Sequence, residues 1–471
     1  MLQKFLEAFG NIFRVPDLRK RLMFTLGLLA VYRLGGQIPT PGINIQRWQE
    51  FFSSQSGTIF GFFDMFSGGN VRKLTIFALG IMPYITASII LQLLTVVIPT
   101  LEKLQKEGEL GRRKITQWTR YLTILLSVIQ STTIAGGLQA MGQGIVISPG
   151  FGFVLLTVLS LTTGSAFIMW LGEQISERGV GNGMSLIIFT GIVVGLPRAV
   201  QNIYQNTFIT HEWNPLQLIM IIAMMVAVVA FIVLVERGER RIPVQYAKRV
   251  VGRRVMGGQS THMPLKVNAG GVIPVIFASS ILAFPQQLSL LSWVKNTPWL
   301  ATTLTSIRHG EPLYYVLFVA GIIFFCFFYV SIIFNPNEAA DNMRKYGGFI
   351  PGIRPGRNTA DYMNEILTKI TVVGGLYLSI LCLIPDIMIS GIHLQHLPFL
   401  GNWVDRSFTN LHLRFLLEGL NVQFYFGGTS LLIVVGVAMD TINQIEAQLI
   451  MRHYEGFTPR SGRIRGRRST F

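Results

Sequence analysis

The chain has 471 residues, half of them hydrophobic and 13% charged, with a mean hydropathy of +0.47. That balance excludes an ordinary soluble domain, in which about a quarter of the residues are charged. The net charge of +17 matters less for its size than for where the cations stand along the chain.

Ten segments are long or apolar enough to span a bilayer: about 22–35, 74–97, 118–141, 153–171, 182–197, 216–235, 270–291, 313–335, 370–386 and 424–441. With the N-terminus inside, segments 1–21, 98–117, 172–181, 236–269, 336–369 and 442–471 hold 30 Lys and Arg. The outer loops 36–73, 142–152, 198–215, 292–312 and 387–423 hold 8. The positive-inside rule therefore predicts that both ends are cytoplasmic. The predicted fold class is an all-α integral membrane protein of ten transmembrane helices. Cys326 and Cys382 fall inside apolar spans and read as small core residues, not as a disulfide framework.

Residues 1–21 set Phe5, Phe9, Ile12 and Phe13 among Lys4, Arg19, Lys20 and Arg21, the pattern of an amphipathic segment lying on the inner leaflet. No small-residue cleavage site follows the first apolar run, so that run reads as a retained helix. Ile59 to Phe66 is a largely apolar stretch about 12 Å long as helix, against a hydrocarbon core of roughly 30 Å. Gly68, Gly69, Asn70, Arg72 and Lys73 separate it from the span beginning at Leu74. A segment that enters without crossing must lie inside protein or beside water. On the span, Ile81, Ile85, Ser88 and Gln92 share one helical face. The pair reads as a pore wall with a small mobile element beside it.

Loop 102–114 mixes charge signs and reads as solvated. Glu177 to Gly183 lacks the phosphate-loop pattern and reads as a tight helix connection. Ten spans divide as five and five, and an odd number per half makes any internal repeat inverted. The expected parts are an N-terminal segment 1–21, a first half 22–203 containing the short element 57–70, and helix 6 with its approach at 204–235. Then come loop 236–269, helices 7 and 8 at 270–335, loop 336–369, helices 9 and 10 at 370–441, and a basic tail 442–471.

In loop 236–269, alternation around Tyr246 and Val255 predicts a short hairpin turning near Gly252. In loop 336–369, Pro351-Gly-Ile-Arg-Pro-Gly-Arg357 predicts a compact turn with two arginines at its tip. Topology alone accounts for the cations. The length of both loops and their turn signals favour docking of protein or ribosomal RNA.

Sites for bound chemistry are sparse. His393 and His396 have no Cys or carboxylate at ligand spacing, so no metal or other cofactor is expected. No Ser/His pair sits at mid-membrane depth, which counts against a membrane-embedded hydrolase. The spans offer Ser, Thr, Gln and Ile where a coupled transporter needs mid-membrane carboxylates or other ligands. The reading is a conduit, not an enzyme.

Five stretches, in order, carry a family resemblance: Phe77 to Leu94, Glu177 to Gly183, Gly271 to Ser280, Pro351 to Gly356 and Phe426 to Leu432. Together they resemble the SecY/Sec61-alpha family of channel subunits of the Sec protein translocase, over residues from about 20 to 457. The resemblance implies two inverted five-helix halves around an hourglass pore, with a sideways exit between helices 2–3 and 7–8. It implies a pore ring of Ile81, Ile85, Ile188, Ile276 and Ile433. It implies a plug of Ile59, Phe60, Gly61, Phe62, Phe63, Asp64, Met65, Phe66, Gly68, Gly69 and Asn70. Ser88, Gln92, Ser279 and Ser280 match the lateral gate. Arg240, Arg241, Lys248, Arg249, Arg253, Arg254, Arg354 and Arg357, with Tyr454, match the surface that docks the ribosome or the SecA motor.

The implied function is a channel that passes unfolded secretory chains across the membrane and releases transmembrane segments into lipid. Implied partners are SecE and SecG, the SecA ATPase, the ribosome through protein and RNA contacts, signal sequences and nascent chains, and anionic lipids. The implied location is the bacterial plasma (inner) membrane, with a thylakoid membrane second. The competing reading is an inverted-repeat secondary solute transporter.

Overall fold

Each of the ten apolar segments carries a helix in the computed structural model. The structure describes residues 15–54, 64, 67–142, 144–209, 215–246, 249–251, 254–256, 260–288, 297–307, 310–390 and 428–455. The first half holds α1 (Pro16–Gly35), α2 (Ile45–Ser54), α3 (Met82–Val97), α4 (Pro99–Lys106), α5 (Glu109–Met141), α6 (Phe151–Arg178) and α7 (Gly183–Tyr204). The second holds α8 (Pro215–Glu236), α9 (Ile273–Leu288), α10 (Pro298–Ser306), α11 (Pro312–Ile333), α12 (Pro336–Lys345), α13 (Arg357–Ser390) and α14 (Gly428–Glu455). Proline opens many of these, where its missing N–H costs nothing and its fixed φ suits the first turn.

Several boundaries differ from the hydropathy reading. The expected span from Leu74 becomes helical only at Met82, and residues 70–81 run as turns. Helix α3 is thus 16 residues, about 24 Å, and bends by 101° into α4. Loop 336–369 holds α12 and the start of α13, and α14 continues through Glu455 into what was read as tail. In the last two cases polar helical turns extend beyond the apolar stretch that hydropathy detects. Among the described residues, α5, α6, α11, α13 and α14 belong to the five helical stretches long and apolar enough to cross a bilayer by themselves, and the bent pair α3–α4 makes a sixth.

Packing order explains the architecture. Helices α3, α5, α6, α7, α14, α13, α11 and α9 contact one another in that sequence, and α9 returns to α3, closing a ring. The two halves repeat a pattern: second helix on third, third on fourth, fourth on fifth, and first (α1 or α8) on fifth. The halves meet chiefly at α3–α9 and α7–α14, with a smaller contact between α5 and α9. One large core fills the ring and includes Cys326 and Cys382.

Between α8 and α9 the chain forms β1 (Glu239–Tyr246), β2 (Arg249–Val251), β3 (Arg254–Met256) and β4 (Ser260–Lys266), and β5 (Gly348–Phe349) lies between α12 and α13. Strands β2 and β3 pair antiparallel with Val250 opposite Val255, the short hairpin that the alternation predicts, and Gly252 lies outside the described residues. Strand β1 pairs with both β4 and β5 in a three-stranded sheet ordered β4-β1-β5. The two long basic loops are therefore one body, with Ile242, Leu265, Ile350 and Met363 in a shared core.

Close packing in the first half depends on Gly164 of α6, where a Cβ would overlap the Ile76 carbonyl oxygen. Gly164→Ala is expected to destabilise the protein by about 1–3 kcal/mol. Gly136→Ala, at a helical site with open space around it, is expected to be neutral or stabilising by about 0.4–1 kcal/mol. Denaturation in detergent measures both, and equal effects would contradict this packing.

Candidate functional site

The four helices of the two larger contacts between halves each contribute isoleucine to the large buried core: Ile81 and Ile85 at the start of α3, Ile188 on α7, Ile276 on α9 and Ile433 on α14. Ile81 stands just before the first turn of α3, so its backbone is held by the preceding turns. Ala78 to Met82, Ile85 and Ile188 line a cavity of about 10 Å³ with Ser67, room for about one water. Ile276 and Ile433 stand in the same large buried core.

Residues 67–81 underlie this cluster as turned, buried backbone. Ser67 O accepts from the Tyr32 hydroxyl at 3.1 Å and from Asn70 Nδ2 at 2.6 Å. Arg33 donates to Gly68 O at 2.9 Å, and Trp48 Nε1 donates to Val71 O at 2.9 Å. Asp64 is buried, its Oδ1 accepting from Arg72 N at 2.7 Å and its carbonyl from Gly69 N at 2.9 Å. Ser165 on α6 donates to Gly80 O at 3.4 Å. Gly68, with φ of +73°, lies against Gly191 of α7, where a Cβ would come 2.8 Å from the Gly191 Cα. Leu74 adopts a left-handed φ of +41°, unfavourable for a bulky residue and held by its neighbours. Gly68 and Asn70 are thus held against α1 and α7, while Gly69 bonds back to Asp64. Ile59, Phe60, Gly61, Phe62, Phe63, Met65 and Phe66 lie outside the described residues.

At the α3–α9 contact, the polar side chains bond chiefly within their own helices. Gln92 Nε2 donates to Ser88 Oγ at 3.3 Å. Ser279 and Ser280 both donate to Ile276 O, at 3.0 and 2.7 Å. Across the seam, Ser280 Oγ reaches Met82 Sδ at 3.9 Å, a weak bond to a soft acceptor. The seam is packed rather than laced.

On the loop body, Arg240 and Arg241 are exposed on β1, beside inward-facing Ile242 and Val244. Gly352 and Gly356 turn the backbone at φ of +84° and +107°, leaving Arg354 and Arg357 exposed. Thr359 Oγ1 ties the turn by donating to Arg354 O at 3.0 Å. Arg249 and Arg254 lie at the ends of the β2–β3 ladder, and Tyr454 lies in the last turn of α14. Lys248 and Arg253 are outside the described residues.

Residues 75–442 match the SecY family. The chain belongs to that family. It is 49% identical over 444 residues to the protein translocase subunit SecY of Escherichia coli strain K12, covering 93% of either chain. Among solved structures it resembles a SecY protein whose plug domain stabilises the closed state and maintains a membrane seal. That likeness has a TM-score of 0.59 at 18% identity and covers 93% of this chain and 94% of the other. It also resembles Sec61 from the canine ribosome–channel complex of the endoplasmic reticulum, at TM-score 0.52 and 17% identity over 93% and 94% of the chains.

Within this SecY-family fold, Tyr32 is the residue that motif reading did not single out. Its signal was a phenol inside an apolar helix, since a buried Tyr hydroxyl needs a partner. Tyr32→Phe removes the bond to Ser67 O and the longer one accepted from Asn70 Nδ2 at 3.4 Å, together a loss of about 1 kcal/mol. Amide exchange at residues 67–71 is expected to quicken about fivefold. Unchanged exchange would show that Tyr32 does not hold the stretch.

Proposed function

We propose that this chain is the pore-forming subunit of a protein translocase, passing unfolded polypeptides across a membrane and releasing apolar segments sideways into lipid. The observation that carries the reading is the set of buried isoleucines drawn from the four helices of the two larger contacts between halves. A constriction of stiff, β-branched side chains excludes water when closed. It offers no fixed polar ligand, so it yields to a chain of any sequence without holding one tightly. A SecY-family channel is a conduit rather than an enzyme, and energy must come from partners.

In this reading Ile81, Ile85, Ile188, Ile276 and Ile433 are the pore ring, and residues 59–70 are a plug seated on its outer side. Residues 67–70 are the plug's fixed end, which the bonds from Tyr32 and Arg33 support. Ser88, Gln92, Ser279 and Ser280 line a lateral gate. Ten spans form two inverted halves with both termini cytoplasmic, supported by the cation asymmetry and the repeated packing order. The loop body with Arg240, Arg241, Arg354 and Arg357 then faces the cytoplasm and docks SecA or the ribosome. SecE and SecG complete the membrane complex, anionic lipids meet the basic inner surface, and the membrane is the bacterial plasma membrane.

The test is a photo-crosslinker at Ile85 or at Ile276 in reconstituted vesicles holding a stalled secretory chain. Both positions are expected to crosslink to the chain, and outward-facing Val316 on α11 to lipid instead. Absence of crosslinks at the ring, or equal crosslinking at Val316, would remove the pore assignment.

A further inference from the structure

The joint between the loop body and α9 is built from groups that none of the roles above uses. Glu236 ends α8 and is buried, as is Asn268 two residues beyond β4. Asn268 Nδ2 donates to Glu236 Oε2 at 3.1 Å and to Gly271 O at 3.2 Å. The strand ladder continues to this point, with Val267 N donating to Gly238 O at 2.9 Å. Two further helices close on the same backbone. On α13, a Cβ at Gly374 would stand 3.0 Å from Val267 O, and on α14 one at Gly436 would overlap Val272 Cγ2.

Between Asn268 and the first turn of α9 lies Gly270-Gly271, with Gly271 left-handed at φ of +59°. Two glycines make a pliable turn. Force applied to the hairpin would be absorbed there unless something spanned it. Asn268 spans it, from the end of α8 on one side to the Gly271 carbonyl on the other. Helix α9 begins at Ile273 and carries Ile276, Ser279 and Ser280.

We infer that Asn268 is a positioning residue for opening: it clamps the base of the β1–β4 hairpin to α9, so that a partner docked on the basic loops moves the helix rather than bending the turn. This rests on the docking role proposed for those loops.

The experiment uses the full chain with its membrane partners in vesicles and SecA as the probe, measuring motor affinity and translocation rate separately. The pair Glu236→Leu with Asn268→Leu removes both polar groups, a change close to neutral for folding. Asn268→Asp keeps the shape and loses the donor. Each is expected to bind the motor within about twofold of the parent and to translocate about tenfold more slowly. Glu236→Gln retains an acceptor and is expected to translocate within about twofold of the parent. Parental rates in the pair or in Asn268→Asp, or a Glu236→Gln rate as low as theirs, would overturn the clamp. Failure of the docking role shows separately, as motor affinity unchanged by Arg354→Glu, and would remove the clamp's purpose with it.

Discussion

Backbone groups that leave a helix within hydrocarbon must find partners in the protein, and residues 67–81 are where this chain meets that demand. Ser67, Gly68, Val71 and Gly80 present carbonyls that Tyr32, Arg33, Trp48 and Ser165 satisfy. The donors come from three elements, α1, α2 and α6, so the first half is assembled around this stretch. Ile76 N donates to Ile38 O, and Thr40 N to Leu74 O, each at 2.9–3.0 Å, bringing the segment after α1 into the same network. Gly164 exists as glycine because this backbone passes against α6. The start of α3, and hence the position of Ile81 and Ile85, follows from where these turns end.

The contacts between halves obey a different logic. Apolar helices in lipid gain little from burial against each other, so packing and the few polar bonds decide which interfaces hold. At α3–α9 the serines and Gln92 spend their hydrogen bonds inside their own helices, as Ser back-bonding allows. Separating these helices therefore strands no buried donor and breaks only the weak Ser280–Met82 contact among those side chains. A seam of this kind opens when another apolar helix offers equivalent packing. The first half is tied by its carbonyls, whereas among the described residues the Ser, Gln and Met side chains named at α3–α9 make only that weak bond across the seam.

Apolar runs anticipated a helix in each of the ten segments, and residue alternation anticipated the loop hairpin, because those signals are local and strong. The turns at 70–81 were read partly as helix, since an apolar run from Leu74 has no feature that separates buried turn from span. Gly80 and Pro83 were the available hints. The union of the two long loops was not legible either: β5 is two residues, Gly348 and Phe349, too short for any alternation to register. Family motifs named the isoleucines and Asn70. The phenol that holds the same stretch, and the Asn268 joint, needed three-dimensional proximity between residues 32 and 67 and between 236 and 268.

The central claim is that the isoleucine cluster is a closed, water-excluding constriction. Ion conductance of the resting channel in a planar bilayer tests it most directly. The parent channel is predicted to be silent, and a variant with Ile85→Asn, Ile188→Asn and Ile276→Asn to conduct, because a polar ring stays wet. A parent channel that conducts at rest, or a substituted ring that stays silent, would contradict the claim.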